Sequence, residues 1–251
     1  MRPTIEIAVR AWARAPVPLG PALMLVGYHR IADRVDDLTV RPSRFEEQMR
    51  WLAAHRARLP TVDVERAAAP ATEWPHRAVA LTIDDAWEDV YRNGLAVMAD
   101  VKLPVTLYVP SKLIGTPEYM TREQVLECAA AGITIGGHTR SHADLRKVDD
   151  TALESELRGG REDLEDLVGR PVTQFAYPFG HFDARARAAV IGAGYTSAIT
   201  TRRGWARPGG DPFTIPRSFI EDVSLATFTA SVRGGLSVLT AADSVRRRRK
   251  G

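Results

Sequence analysis

Short apolar runs alternate along this chain with longer segments in which apolar residues recur every three or four positions. Ala22 to Tyr28 is an apolar run typical of a buried strand, whereas Phe45, Met49 and Leu52 follow the period of a helix. The pattern predicts strands at residues 22–28, 78–83, 105–109, 133–135, 174–177, 195–200 and 214–216. This alternation of strands and helices predicts a parallel sheet covered by helices.

Polar residues that favour helix starts precede several of the helical segments. The predicted N-caps are Ser43, Thr121, Asp183 and Ser224. Ser43 and Thr121 are each followed three residues later by Glu or Gln, a spacing that predicts a capping box. The longest helix is predicted from Asp150 to Val168. Its glycine pair, Gly159-Gly160, is expected to weaken or kink it because glycine costs helix stability.

The order of these elements favours one α/β architecture over another. No glycine-rich phosphate loop follows the first predicted strand, so a closed or partly open barrel is favoured over a doubly wound sheet. We therefore predict an α/β fold, a (β/α) barrel of about seven strands in a single domain. We expect an N-terminal extension over residues 1–21, the barrel over 22–240, and a basic, disordered tail over 241–251.

Three segments with candidate catalytic or metal-binding side chains each follow a predicted strand: Asp84-Asp85, His138 to His142, and Tyr177 to Gly180. Because the carboxyl ends of parallel barrel strands converge on one face, we expect these segments to meet there. One carboxylate and two imidazoles form a suitable ligand set for one divalent metal. The second carboxylate is then free to act as a base, so the sequence predicts a metal-assisted hydrolase.

The charge of the chain is concentrated at one end. The formal net charge of the 251 residues is +3, but Arg246 to Lys250 alone carry five positive charges, so the rest sums to −2. We therefore expect no nucleic-acid binding by the barrel. The tail is expected to be solvated, with contact to an anionic membrane surface or to nucleic acid as the alternative.

The remaining composition excludes two features. Cys128 is the only cysteine, so an intrachain disulfide is excluded, and its helical context predicts a buried residue rather than a nucleophile. No apolar run reaches the length of about 18 residues that suggests a membrane span. No signal peptide is recognised at the N-terminus, so a cytoplasmic location is the expectation.

At these segments the chain resembles the polysaccharide deacetylases, also known as carbohydrate esterase family 4 or the chitooligosaccharide deacetylase homology domain. Thr82 to Ala86 is similar to the family's Thr-Phe-Asp-Asp-Gly motif, and His138 to His142 to its His-(Ser/Thr)-x-x-His motif. Ala176 to Gly180 resembles Arg-x-Pro-Tyr-Gly, and Pro104 to Val109 resembles Pro-Ala-Thr-Phe-Phe-Val. The resemblance covers residues 22 to 220.

The resemblance implies a distorted barrel and a metal held by Asp85, His138 and His142. Zinc is expected, with cobalt, nickel or manganese as alternatives. Asp84 would be the general base for a metal-bound water that attacks the N-acetyl carbonyl of an amino sugar. The third motif would contribute substrate-binding residues, with the Phe179 backbone N–H as an oxyanion donor: Tyr177, Pro178, Phe179 and Gly180.

Two residues of the family pattern are missing from this chain, so other residues must take over their roles. Ala176 stands where the family has an arginine that orients the catalytic aspartate, and we expect Arg217 to reach the same place. The family's late histidine, its general acid, is not recognisable, because no histidine occurs after His181. His29, at the end of the first strand, is the favoured acid. The alternatives left open are His181, protonation of the leaving amine by a water, and a purely structural role for His29.

Aromatic residues near the motifs are candidates for sugar stacking, since flat apolar rings suit the C–H faces of a pyranose. These are Trp87, Phe182 and Trp205. Trp87 is favoured because it follows the aspartate motif. The sequence leaves two other functions open, namely hydrolysis of another non-peptide amide or a cyclic imide, and glycan binding by a catalytically weak barrel.

Overall fold

The computed structural model describes residues 20–34 and 36–235. The strands are β1 Ala22–Tyr28, β2 Arg30–Ile31, β3 Thr39–Val40, β4 Arg77–Ile83, β5 Val105–Val109, β6 Thr134–Gly137, β7 Gln174–Ala176, β8 Ser197–Ile199 and β9 Arg217–Phe219. The helices are α1 Pro42–His55, α2 Glu88–Val101, α3 Arg122–Ala130, α4 Asp150–Glu154 with Gly160–Val168, α5 Ala184–Gly192 and α6 Leu225–Ala230. The two parts of α4 are joined by a π-helical turn, Ser155–Gly159.

Seven of the strands form one parallel sheet that curls into a nearly closed barrel. Their order is β8-β7-β6-β5-β4-β1-β9. A parallel bridge between Ile199 and Ile215 joins the β8 edge to the segment that leads into β9. The predicted single-domain (β/α) barrel is therefore confirmed.

Alternate side chains of each strand enter two separate cores. In β1, Leu23 and Leu25 belong to the cluster inside the barrel, whereas Met24 and Val26 belong to the larger cluster between barrel and helices. This alternation is the two-residue period of a strand. This alternation matters for function, because the inward-facing residues near the carboxyl ends of the strands project into the opening of the barrel at that end.

Two local predictions are wrong. The helix α1 begins at Pro42 and its N-cap, Arg41, makes no side-chain cap bond, so the capping box predicted at Ser43 does not form. Proline favours the first helical position, which shifts the start by one residue. The last strand is Arg217–Phe219 rather than 214–216, because Ile215 pairs only as an isolated bridge and Pro216 has no N–H to donate.

Other local predictions are confirmed. Thr121 and Gln124 form a reciprocal capping box, and Asp183 and Ser224 each accept a backbone N–H at a helix start. The long helix forms over the predicted range, with Gly159 as the last residue of its π-helical turn and Gly160 as the first residue of the α-helical part that follows, and the expected weakening by this pair stays a prediction.

The two predicted terminal segments are not tested by the structure. Most of the extension (residues 1–19) and the whole tail (241–251) lie outside the described residues, so both assignments stay predictions. None of the helices in the described part of the chain is long and apolar enough to cross a bilayer.

Candidate active site

The loops at the carboxyl ends of the strands carry an unusual backbone conformation. Six non-glycine residues there have positive φ angles: Asp85 at 73°, Ala86 at 57°, Glu118 at 71°, Thr139 at 63°, His142 at 61° and Phe179 at 59°. Such conformations are sparsely populated and cluster at functional sites, where surrounding contacts hold them. Four of these residues lie in the three segments with candidate catalytic or metal-binding side chains, Ala86 directly follows the first segment, and Glu118 lies in the loop after β5.

Asp84 continues the inward row of β4 and is paired with a buried arginine. The Nη1 and Nη2 atoms of Arg217 donate to its Oδ1 and Oδ2, each at 2.6 Å. Arg217 is completely buried and Asp84 is 2% exposed. Thr82 accepts a further bond from Arg217 Nη1 at 3.1 Å and donates to the Val26 carbonyl at 2.9 Å. The guanidinium is therefore fixed in the plane of the carboxylate, the geometry in which an arginine binds a carboxylate most strongly.

This pair determines the charge of Asp84. Burial alone would raise the pKa of the Asp84 carboxyl, but the charge and hydrogen bonds of Arg217, together with the charges of His138 and His29, outweigh burial, and the pKa lies below its ordinary value. Asp84 is therefore ionised at neutral pH and able to accept a proton. Arg217 comes from β9, so it supplies the charge that Ala176 cannot.

Asp85, His138 and His142 converge on one point beside Asp84. The Oδ1 atom of Asp85 lies 3.4 Å from His138 Nε2 and 3.3 Å from His142 Nε2. The other ring nitrogen of His138, Nδ1, lies 2.7 Å from the Ala176 carbonyl and donates to it. In the neutral imidazole, this bond leaves the lone pair on Nε2, the nitrogen that faces Asp85.

The residues at this point fit a divalent cation. The buried Oδ1 atom of Asp85 has no hydrogen-bond partner in the described structure, which is costly for a carboxylate unless a cation binds it. The candidate ligand atoms of Asp85, His138 and His142 lie within 4.8 Å of one another. Ligands at about 2.0–2.1 Å from a tetrahedral zinc are about 3.3 Å apart, which matches the separations of Asp85 Oδ1 from the two Nε2 atoms.

The protonation states of these side chains reflect their mutual contacts. Burial raises the pKa of Asp85, but the two neighbouring imidazoles outweigh it and hold the pKa well below its usual range. Burial and the charge of His138 lower the pKa of His142 to about 4. Burial also lowers the pKa of His138, but contact with Asp85 and the charge of Asp84 raise it overall.

His29 lies over the same site, whereas His181 does not. The Nε2 atom of His29 is 4.0 Å from Asp84 Oδ2, and its ring stacks on Phe219 at 4.3 Å between centroids. Burial lowers the pKa of His29, and the charges of Asp84 and Asp85 oppose that effect. His181 instead contacts Arg146 and Asp144 through Nδ1, at 2.8 and 3.3 Å.

Trp87 contacts the candidate metal ligand directly, which the sequence did not indicate. Its Nε1 donates to Asp85 Oδ2 at 3.0 Å. Tyr119 stacks on its ring at 4.3 Å, and the Arg30 guanidinium lies 4.1 Å from a ring centroid. These contacts favour a role for Trp87 in holding Asp85, and its stacking on a sugar stays a prediction.

The third motif presents one exposed aromatic ring at the site. Phe179 is 55% exposed, and its ring meets the His142 ring edge to face at 4.7 Å. Tyr177 and Pro178 are buried. At Gly180, with a φ of +68°, a Cβ atom would lie 2.1 Å from Thr201 Oγ1, so glycine is required there. Of the residues in this motif, Phe179 therefore presents an exposed ring at the site, and substrate contact by the motif stays a prediction.

Two structural supports of Arg217 were missed from the sequence. Phe219 lies under the guanidinium at 4.3 Å and also stacks on His29. A Cβ atom at Gly27 would lie 2.7 Å from Phe219, so the glycine makes room for that ring. Phe219 follows Arg217 by two positions, a spacing that places both on one face of a strand, and this signal was available.

Comparison with known proteins finds relatives that cover most of this chain. The sequence profile of the family described as "Polysaccharide deacetylase" matches residues 72–198, half of the chain, from β4 to β8. The chain belongs to the polysaccharide deacetylase family. YxkH of Bacillus subtilis, whose name assigns it to the same family, is 27% identical over 197 residues, which are 77% of this chain and 69% of that protein. Poly-beta-1,6-N-acetyl-D-glucosamine N-deacetylase of Staphylococcus aureus is 21% identical over 202 residues, 75% of this chain and 70% of that protein.

Solved structures agree in fold. The crystal structure of a polysaccharide deacetylase from Bacillus cereus superposes with a TM-score of 0.76 at 26% identity, covering 85% of this chain and 69% of the other. Membership of this family supports a hydrolase that acts on acetylated glycans.

Proposed function

We propose that this protein is a metal-dependent hydrolase that removes an N-acetyl group from an amino sugar in a glycan, a lipid-linked glycan precursor or a small glycoside. The observation that carries the proposal is the convergence of Asp85, His138 and His142 around the unpartnered Asp85 Oδ1 atom. The name of the Staphylococcus aureus relative, an N-acetylglucosamine N-deacetylase, supports the same substrate class.

The candidate metal ligands and the candidate base have separate roles. A divalent cation bound by Asp85, His138 and His142, with zinc favoured, would polarise the substrate carbonyl and lower the pKa of a water. Asp84 accepts the proton of the attacking water, since its carboxylate is ionised at neutral pH. Arg217 keeps Asp84 ionised and fixes the plane of its carboxylate.

The leaving nitrogen of the amide must receive a proton for the C–N bond to break. His29 is the proposed donor, because its Nε2 lies at the site, 4.0 Å from Asp84 Oδ2. His181 is engaged elsewhere with Asp144 and Arg146. Phe179 is proposed to contact the sugar ring, since its ring is exposed beside His142.

Elemental analysis of tightly bound metal tests the core of this proposal. We expect about one equivalent in the wild type and none in the His138→Ala, His142→Ala double variant. Acetate release from acetylated amino-sugar oligomers should disappear in the same variant. Cys128→Ala is the matched control, because Cys128 is buried away from the site and should change neither result.

Two outcomes would contradict the proposal. A wild-type protein that binds no metal after reconstitution at neutral pH would rule out the metal site. Metal binding without any acetate release from a broad set of acetylated amino sugars would instead favour another amide substrate or a glycan-binding barrel.

A further inference from the structure

The loop between the two candidate metal histidines is bound from outside the barrel by α4. The carboxylate of Glu156 accepts the backbone N–H groups of Arg140 and Ser141 on Oε2, both at 2.9 Å. Its Oε1 atom accepts the Ser141 hydroxyl at 2.7 Å. One side chain of α4 thus binds three donors of the loop, and two of these donors belong to the backbone, whose path places His138 and His142.

A second carboxylate of α4 binds the same loop. Asp163 makes a two-pronged pair with the Arg140 guanidinium, with Nε to Oδ2 and Nη2 to Oδ1 both at 2.7 Å. Asp163 Oδ2 also accepts the Ser111 hydroxyl at 2.7 Å. The backbone after β5 contributes as well, because the Lys112 N–H donates to the Arg140 carbonyl at 2.8 Å. The loop is therefore held between α4 and the segment that follows β5.

The shape of α4 is adapted to this contact. Glu156 lies in the π-helical turn. Such turns are rare in proteins overall, but many of those that occur are at functional sites. A Cβ atom at Gly160 would lie 3.1 Å from the Arg140 backbone nitrogen, and one at Gly159 would lie 3.0 Å from Arg140 Nη1. The glycine pair that costs helix stability thus lets the helix approach the loop closely.

The loop needs such support because its backbone is strained. Thr139 and His142 both have left-handed φ angles, 63° and 61°, which few non-glycine residues adopt without surrounding contacts. We propose that Glu156 and Asp163 are positioning residues that set the separation and orientation of His138 and His142, and thereby the metal affinity of the site. This inference rests on the proposed function, because it concerns the same metal site.

Metal affinity of purified variants tests the inference. Zinc affinity is measured by competition with a chromophoric chelator, and ligand geometry by the visible absorption of the cobalt-loaded protein. We expect Glu156→Ala to lower zinc affinity about 10- to 100-fold, the range found for outer-shell partners of metal ligands, and to change the cobalt spectrum. Glu156→Gln keeps an acceptor for the two backbone N–H groups and should restore most of the affinity.

Two further variants separate positioning from general stability. Asp166→Ala removes an exposed carboxylate from the same helix and should leave affinity and spectrum unchanged. Asp163→Asn keeps the shape of the side chain but loses the charge paired with Arg140, so we expect a several-fold loss of zinc affinity. Asp163→Asn also tests the inference if Glu156→Ala does not fold. The unfolding midpoint of each metal-free variant is recorded alongside.

The outcomes distinguish this inference from the proposed function. If the wild type binds zinc through His138 and His142 but Glu156→Ala and Asp163→Asn bind it equally well, the positioning role is wrong and the proposed function stands. If affinity falls only in proportion to metal-free stability and Glu156→Gln does not restore it, the role is structural and the inference fails. If the wild type binds no metal at this site, both fail together.

Discussion

Two neighbouring carboxylates, Asp84 and Asp85, are both buried but differ in how their charge is balanced. Each carboxylate oxygen of Asp84 accepts a hydrogen bond from an Arg217 nitrogen at 2.6 Å. The Oδ1 atom of Asp85 has no hydrogen-bond partner and faces two imidazole nitrogens at 3.3 and 3.4 Å. A buried charge is stable only when it is paired. The chain thus supplies a cationic partner for Asp84, whereas Asp85 accepts only the Trp87 N–H on Oδ2, and the proposed cation would balance its charge.

This difference indicates that the Asp84 side and the Asp85 side of the site can be changed independently. The Asp84 side depends on β9, through Arg217 and Phe219, whereas the Asp85 side depends on the loop after β6. A change on the first side should alter catalysis and its pH dependence but not metal content. A change on the second side should alter metal content first.

The largest effect is expected from Asp84→Asn. Loss of the base should lower the rate of acetate release about 10²- to 10⁴-fold, the usual contribution of a general base. Metal content should stay at the wild-type value, because Asp84 is not one of the converging ligands. Asp85→Asn is the matched variant and should lose the metal. Equal loss of metal in both variants would contradict the assignment of Asp85, rather than Asp84, as the metal ligand.

Arg217→Met should have the next largest effect, and mainly on stability. It leaves a buried carboxylate unpaired, which costs about 3–5 kcal/mol in the free energy of unfolding at neutral pH. Arg217 holds the pKa of Asp84 down, so the stability that this carboxylate contributes is present at neutral pH and is lost as the pH falls through that lowered value. Without Arg217, burial raises the pKa of Asp84 instead, so the cost of Arg217→Met should be largest at neutral pH and should shrink as the pH falls and Asp84 becomes protonated.

Urea unfolding between pH 4 and 8, together with the acid limb of the rate profile, measures this shift. Arg217→Lys keeps the charge but not the two-pronged geometry, so its cost should be smaller. An acid limb that does not move in Arg217→Met would contradict the role assigned to this arginine.

Gly27→Ala should have an intermediate effect confined to the Asp84 side. Its Cβ would meet Phe219 at 2.7 Å and Arg217 at 3.2 Å, so both side chains must shift. We expect a cost of about 1–3 kcal/mol in stability, together with a lower rate and unchanged metal affinity. Gly192→Ala at the end of α5 is the control, because a Cβ there has no atom within 4 Å. A fall in metal affinity in Gly27→Ala would show that the two sides are coupled.

Phe179→Ala should have the smallest effect on stability, within about 0.5 kcal/mol, because the ring is largely exposed. If the ring contacts the sugar, kcat/KM should fall about 2- to 10-fold, since an aromatic contact contributes about 0.5–1.5 kcal/mol. Phe179→Tyr should retain activity. Unchanged kcat/KM in Phe179→Ala would remove this residue from the substrate site.

Much of the fold and the placement of the candidate ligands was predictable, because both depend on local patterns. The period of apolar residues predicts the strands, and parallel strands bring Asp84, Asp85 and His138 to one face. The error at β9 arose because pairing to β1 depends on distant residues rather than on the residues of 214–216 themselves. The hydrogen bond from Trp87 to Asp85 was hidden because side-chain direction after a left-handed turn does not follow strand periodicity.

The arginine that balances Asp84 comes from the last strand of the barrel, 133 positions further along the chain. A ribosome makes the chain from the N-terminus, so every other strand of the sheet emerges before this arginine does. During synthesis the aspartate is therefore without its partner until the seventh strand of the sheet is added. The proposed base is completed by the same event that closes the barrel, so a chain whose synthesis stops before that strand lacks this pair.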